Sequence, residues 1–113
     1  MRVSNNKAID MVDSLEEFQG SNTMGKWLDV GNGRTETNLL YVVYSYGSHF
    51  PMYVWDSTEK KWIGNKDKYS RSTTRHQSQL RPSEVSIWYN TDELKEVIYH
   101  GGLVGHTINK AQQ

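Results

Sequence analysis

A chain of 113 residues suits one domain with a single modest core, because a chain of this size buries only about two-thirds of its unfolded surface. Thirteen Lys and Arg balance thirteen Asp and Glu, which argues against both a strongly acidic nucleic-acid mimic and a strongly basic nucleic-acid coat. The lack of cysteine excludes disulfides, thiolate metal sites and a cysteine nucleophile, and it fits a reducing compartment.

Apolar residues are too scattered for a membrane segment. Residues 1–7 are polar, so no signal peptide is predicted, and the longest apolar run, residues 39–44, is far shorter than the roughly 20 residues of a membrane helix. Aromatic residues make up 12% of the chain, which argues against disorder. We therefore predict a soluble cytoplasmic protein with one domain over residues 1–113 and a frayed tail over residues 107–113.

Helical spacing of apolar residues opens the chain. It extends from Asn5 to Phe18 with acidic residues on the opposite side, which predicts a helix capped by one of its two asparagines. Gly20 ends this helix, since glycine tolerates the left-handed conformation of a helix end. Further glycines recur through residues 20–38, which predicts a loop with a tight turn at Gly31-Asn32-Gly33.

Three short stretches rich in aromatic and β-branched residues follow, at residues 39–46, 52–56 and 61–64. Turn-forming residues separate them, which predicts an antiparallel meander, and residues 85–89 are a candidate fourth strand. The first stretch has no polar face, which favours a central strand covered on both sides. A short helix is predicted from Asp92 to His100 with Thr91 as its N-cap. The predicted fold class is α+β, a small antiparallel sheet of three or four strands packed by two helices.

The charge is unevenly distributed along the chain. Between Thr58 and Pro82, seven Lys and Arg accompany only two acidic residues, a net charge of +5, and the rest of the chain has −5. Residues 68–82 are polar and rich in Ser and Thr, which predicts a structured loop or a single helical turn beginning near Ser72. The acidic residues near both ends of the chain are typical of solvated helix faces.

A specific motif spans the middle of the chain. In order, it consists of Tyr44-Ser45-Tyr46, Pro51-Met52, Trp62 and residues 68–81, KYSRSTTRHQSQLR. It resembles a family of short bacteriophage proteins that carry an SYxxPIA strand, a tryptophan in the next hairpin and a KYSxTTSRHQS segment. The resemblance covers about residues 40–81. The family it points to has no assigned activity, so the resemblance implies none for this chain. This chain inserts residues 47–50 before the proline and has Met52-Tyr53 for Ile-Ala, so strand order is expected to be retained but no function of that turn is implied.

The basic part of the motif has two interpretations. Arg, Lys and hydroxyl groups together are what a phosphate or carboxylate site requires. Alternatively, Ser72, Thr73 and Thr74 cap a helical turn and the charges only face water. His76 is the strongest single candidate, since it can titrate near neutrality, and His49 is a weaker one. The candidate binding residues are Lys68, Tyr69, Ser70, Arg71, Thr73, Thr74, Arg75, His76, Gln77, Arg81 and His49.

Enzymatic and metal chemistry have little support in the sequence. No nucleotide-binding or hydrolase motif is present, and only His100 and His106 approach the spacing of metal ligands, so we predict no cofactor and no metal site. A metal-independent phosphodiesterase needs an acid, a base and a cation near one phosphate. His49, His76 and one of Lys66 or Lys68 are candidates for these roles, but nothing in the sequence shows that they converge, so an enzyme is the third hypothesis.

Binding is the favoured function. Small phage proteins of this size commonly occupy a site on a host machine, so we expect a non-catalytic phage accessory protein that binds a host protein or ribonucleoprotein, such as a CRISPR effector. The second hypothesis is direct nucleic-acid binding, in which cations contact the backbone while Trp62 and Tyr69 stack on bases. The sequence leaves open the partner, the host and the oligomeric state.

Overall fold

The computed structural model describes residues 3–31, 37–68 and 70–103, and within these ranges it contains three α-helices and one six-stranded sheet. The elements in chain order are α1 (Asn5–Asp13), β1 (Phe18–Gln19), β2 (Thr23–Gly31), β3 (Thr37–Ser45), β4 (Phe50–Asp56), β5 (Lys61–Asn65), α2 (Arg71–Gln79), β6 (Ile87–Tyr89) and α3 (Thr91–Tyr99). The predicted α+β class is confirmed. None of the helices in these ranges has the length and apolar character needed to cross a membrane.

The sheet is larger than predicted and is mixed. Its strands lie side by side in chain order from β1 to β6. Consecutive strands from β1 to β5 are antiparallel to one another, as in the predicted meander, whereas β6 lies parallel to β5. Two adjacent parallel strands require a crossover connection, and α2 lies in this connection. We predicted three or four antiparallel strands, whereas the sheet has six strands, of which β5 and β6 form a parallel pair.

The core consists of two clusters on opposite faces of the sheet, because successive side chains of a strand point to opposite sides. Tyr41 of β3 belongs to one cluster with residues of α1 and with Leu80, which follows α2. Its neighbour Leu40 belongs to the other cluster, with Leu94 of α3. We call these sides the α2 face and the α3 face. Residues 40–45 of β3 are buried on both sides of the sheet, which confirms the expectation of a central strand.

The first helix is shorter than predicted. α1 ends at Asp13, and Ser4 caps it, since the Ser4 hydroxyl accepts a bond from the Lys7 amide. Leu15 has a φ of 57°, which interrupts the helical path, and Phe18 belongs to β1. Phe18 still packs in the same cluster as α1. The apolar spacing therefore identified buried residues correctly but not the end of the helix.

The glycine-rich segment predicted as a loop, residues 20–38, contains β2 and the first two residues of β3. Gly25 lies within β2, where an added Cβ would lie within 3 Å of the Phe18 and Tyr41 side chains. Glycine at this position allows two aromatic rings to pack against the strand, so it does not mark a break. Except for Gly31, the turn predicted at Gly31-Asn32-Gly33 lies outside the described residues.

The segment predicted as a loop or single turn, residues 68–82, contains α2, a helix of nine residues. Its buried side is largely polar, so no apolar periodicity indicated a helix. The C-terminal helix α3 lies within one residue of its predicted bounds, but its N-cap is Asn90, whose side chain accepts from the Glu93 amide. The tail predicted to fray, residues 107–113, lies outside the described residues.

Candidate functional site around helix α2

Helix α2 contacts the sheet through polar side chains. Ser70 begins the helix, and its hydroxyl accepts a hydrogen bond from the Thr73 amide at 3.1 Å. Thr73, His76 and Gln77 are buried, with exposed fractions of 0%, 8% and 4%. Residues three and four positions apart lie on the same side of a helix, so these three form one inward side. Three of the predicted binding residues thus take part in the packing of α2.

His76 joins α2 to the central strand. Its Nδ1 lies 2.9 Å from the Ser45 hydroxyl, which lies 3.3 Å from the Thr73 hydroxyl. The imidazole also packs against the ring of Tyr46, with 5.4 Å between ring centroids. Burial lowers the pKa of His76 below its ordinary value of 6.5, and the charge of Arg75 lowers it further. His76 is therefore a mostly buried histidine that favours the neutral form.

Gln77 joins α2 to the residues at the end of β5. Its Nε2 donates to the carbonyl oxygens of Asn65 at 3.0 Å and Asp67 at 3.1 Å. Because both partners are acceptors, the nitrogen must face them, which fixes the orientation of the amide. The other end of the amide, Oε1, is buried and receives no hydrogen bond from the described residues.

Tyr53 supports Gln77 from β4. Its hydroxyl donates to the Gln77 carbonyl oxygen in the buried interior. Burial raises the pKa of Tyr53 to about 12, although the nearby charge of Arg81 acts in the opposite direction. The hydroxyl therefore keeps its proton at neutral pH, and this proton is already used in the bond to Gln77.

Two residues that the sequence analysis did not select connect this region to α3. Asn65 Nδ2 donates to the Pro51 carbonyl at 2.8 Å and to the Thr91 hydroxyl at 3.0 Å, while Oδ1 accepts from the Asp67 amide at 2.8 Å. Asp67 Oδ2 accepts from the Thr91 amide at 2.8 Å, and this bond lowers the pKa of Asp67. The sequence offered one signal for these two residues: Asn and Asp soon after a predicted strand often form hydrogen bonds to the backbone of a turn.

A cleft of about 200 Å³ lies beside Gln77, between α2 and β6. Lys68 and Arg81 are exposed at its edge, and the Arg81 guanidinium lies 5.2 Å from the centre of the Trp88 ring. The Trp88 ring packs on Gly64, where an added Cβ would lie 2.5 Å from the ring. The cleft is lined by Tyr53, Asn65, Lys68, Gln77, Ser78, Arg81 and Trp88. Two cations of the basic segment therefore meet at one cleft, and Trp88 is a lining residue that the sequence analysis missed.

The exposed side of α2 carries two more cations. Arg71 and Arg75 are both exposed, and their spacing of four residues places them one turn apart. In the described part of the chain, neither guanidinium is paired with a carboxylate. Thr74 beside them is half-buried, and Ser70 at the start of the helix is exposed.

His49, the remaining predicted residue in the described part of the chain, does not join this surface. His49 is exposed in the turn between β3 and β4, and Tyr69 lies outside the described residues. Lys61 begins β5 and Lys66 follows it, so these two cations lie at opposite ends of a strand roughly 16 Å long. The basic segment therefore forms separate groups of charge along the sheet and α2.

Trp62 lies in the core of the α2 face and is only 8% exposed. Its ring packs 6.1 Å from that of Tyr41 and 5.7 Å from that of Trp55. The nucleic-acid hypothesis assigned Trp62 a stacking role that requires an open ring face. That role is wrong for Trp62, because its ring is covered by other parts of the protein.

Comparison with known proteins identifies no family for this chain: no family model, no curated protein and no solved structure matches it. Within the ranges that the structure describes, no three His, Asp or Glu side chains are grouped to hold a metal ion.

Proposed function

We propose that this protein is a non-catalytic phage accessory protein that binds a host protein or ribonucleoprotein, such as a CRISPR effector, in the host cytoplasm. The proposed contact surface is the exposed side of α2 with Arg71 and Arg75. The observation that carries the proposal is that buried side chains hold the inward side of α2 by hydrogen bonds, while its outward side presents two guanidinium groups that no carboxylate of the described residues pairs.

Rigid presentation favours binding at this surface. Ordering a side chain or a loop on association costs affinity, and a helix already fixed to the sheet avoids part of this cost. Arginine is enriched among residues that dominate binding energy, and its forked donors match carboxylates and phosphates. An acidic surface of a host protein, or a phosphate of a ribonucleoprotein, has the chemistry that Arg71 and Arg75 recognise.

The position of His76 supports binding over catalysis. A general base must come within hydrogen-bond distance of the substrate proton. His76 is only 8% exposed, and its Nδ1 is bonded to Ser45. We therefore treat it as a residue that positions α2, and we place the phosphodiesterase hypothesis behind both binding hypotheses.

The test is capture of partners from host lysate, followed by reconstitution with the identified partner. The tagged protein is compared with a double variant, Arg71→Glu with Arg75→Glu, and each capture is run with and without nuclease. Lys95→Glu is the matched control, because it reverses an exposed charge on α3, on the opposite face of the sheet. All variants are first compared by circular dichroism and thermal unfolding, so that loss of fold is recognised.

The expected result is one nuclease-resistant partner that binds the purified wild type and Lys95→Glu but is lost with the double variant. Recovery of only nuclease-sensitive material, with affinity that falls steeply as salt rises, would favour direct nucleic-acid binding. A partner that binds the double variant as well as the wild type would place the contact surface elsewhere.

A further inference from the structure

The cleft between α2 and β6 contains an unusual polar atom. Buried polar atoms almost always have a hydrogen-bond partner, so each exception requires an explanation. Gln77 lines this cleft and is 4% exposed, and among the described residues nothing donates to its Oε1. Exchanging the positions of the amide oxygen and nitrogen would not give Oε1 a donor, because the Asn65 and Asp67 carbonyl oxygens must accept from the nitrogen. Among the described residues, this oxygen therefore lacks the donor that a buried amide normally has.

The other groups of the cleft have a definite charge. Lys68 and Arg81 both line it. The Arg81 guanidinium lies over the Trp88 ring, and such a cation–π contact uses none of its five N–H donors as hydrogen bonds, so they can bind an oxygen atom. The Tyr53 hydroxyl already donates its proton to the Gln77 carbonyl oxygen, so it is not a donor for a ligand in the cleft.

The size of the cleft limits the ligand. A volume of about 200 Å³ is roughly six or seven times the share of one water molecule in the liquid, which is about 30 Å³. Pockets for drug-sized ligands usually measure about 300–1,000 Å³. The cleft therefore suits a small ion or a single functional group of a larger molecule.

We propose that this cleft binds a small anion that carries its own hydrogen-bond donor. The negative charge lies between Lys68 and Arg81, and an O–H or N–H group of the same ligand donates to Gln77 Oε1. Hydrogenphosphate and α-hydroxycarboxylates combine these two features. This site goes beyond the macromolecular contact proposed for Arg71 and Arg75 and does not depend on it.

Two matched pairs of probes test the need for a donor. Hydrogenphosphate carries a proton at neutral pH whereas sulfate does not, and glycolate has a hydroxyl that acetate lacks. Each anion is titrated into isotope-labelled protein at constant ionic strength while NMR follows the Gln77 side-chain amide and the Trp88 indole N–H. We expect both signals to shift, with phosphate and glycolate binding roughly tenfold more tightly than sulfate and acetate, the effect of one additional hydrogen bond.

Variants at the exposed edge of the cleft test the location. Lys68→Gln and Arg81→Gln each remove one cation and are expected to weaken phosphate binding at least about tenfold, while Lys95→Gln on α3 leaves it unchanged. The amide spectrum of each variant shows whether the fold is retained. Gln77 itself is not substituted in this test, because its donor end holds α2 to β5.

Glycerol 3-phosphate distinguishes the source of the anion. If it binds as tightly as inorganic phosphate, the site accepts the group as part of a larger molecule, and if it does not bind, the site is specific for the free ion. Three results would overturn the proposal: no shift at millimolar phosphate, equal affinity for phosphate and sulfate, or binding unaffected by both cation variants. None of these results bears on capture through Arg71 and Arg75.

Discussion

The imidazole Nδ1 of His76 lies 2.9 Å from the hydroxyl of Ser45, and this contact joins helix α2 to the central strand β3. The two residues are 31 positions apart in the chain and belong to different parts of the motif that resembles the phage proteins. Ser45 is fully buried, so the contact lies within the structure and not at a surface. Part of this motif therefore has a packing role, while its exposed arginines remain available for binding.

The first prediction concerns the pH dependence of stability. The pKa of His76 is lowered in the folded protein, so between pH 6.5 and that lower value the unfolded state binds more protons than the folded state. The contribution of His76 to the free energy of unfolding is therefore fully present above about pH 6.5, and it is lost as the pH falls through this window. Urea unfolding between pH 5 and 8 should show this decrease in the wild type and a smaller one in His76→Gln. An NMR titration that gives His76 a pKa of 6.5 or higher would contradict the prediction.

The second prediction separates two glutamines of the same helix. Gln77→Ala removes one buried and one part-buried hydrogen bond to carbonyl oxygens and should lower the free energy of unfolding by about 1–3 kcal/mol. Gln79→Ala removes only an exposed bond to Asn5 and should change it by less than about 0.5 kcal/mol. Denaturant unfolding of both variants measures the difference. Equal effects would mean that the inward side of α2 does not hold the helix to the sheet.

The third prediction concerns the cap of α2. Ser70→Ala removes the hydroxyl that accepts from the Thr73 amide, and loss of such a cap costs about 1 kcal/mol. Ser72→Ala is the control, because Ser72 is exposed within the helix and alanine favours helix there. Thermal unfolding should show a lower midpoint for the first variant and an unchanged or slightly higher one for the second. The reverse order would refute the assignment of Ser70 as the cap.

The fourth prediction concerns the contact between β5 and β6. Gly64→Ala places a Cβ about 2.5 Å from the Trp88 ring, so the ring must move, and such overpacking costs about 1–3 kcal/mol. In a Trp88→Ala background the same substitution should cost much less, because the obstructing ring is absent. A double-mutant cycle in urea measures this coupling. Additive effects of the two substitutions would show that the contact does not constrain the strand.

Local patterns in the sequence predicted a definite part of the fold. The aromatic and β-branched stretches identified β3, β4 and β5, and the acidic first turn and apolar spacing identified α3 within one residue at each end. These features were predictable because they depend on side chains that are neighbours in the chain. α2 was not predictable in this way, because its buried residues are polar and have partners on distant strands.

The candidate site was predicted only in part. Lys68, Gln77 and Arg81 were selected from the motif, and the structure places all three at one cleft. The cleft is also lined by Tyr53, Asn65, Ser78 and Trp88, and no pattern in the local sequence places them at one cleft.

By itself, the sequence determined the α+β class, the meander and the basic segment, since composition and short-range periodicity suffice for these. Only the tertiary structure decided that β6 lies parallel to β5, that Gly25 and Gly64 lie within strands, and that His76 faces inward. The physical reason is that burial and hydrogen bonding of polar groups depend on which distant segments meet. The same reason explains why Gln77 belongs both to the packing of α2 and to the cleft beside it.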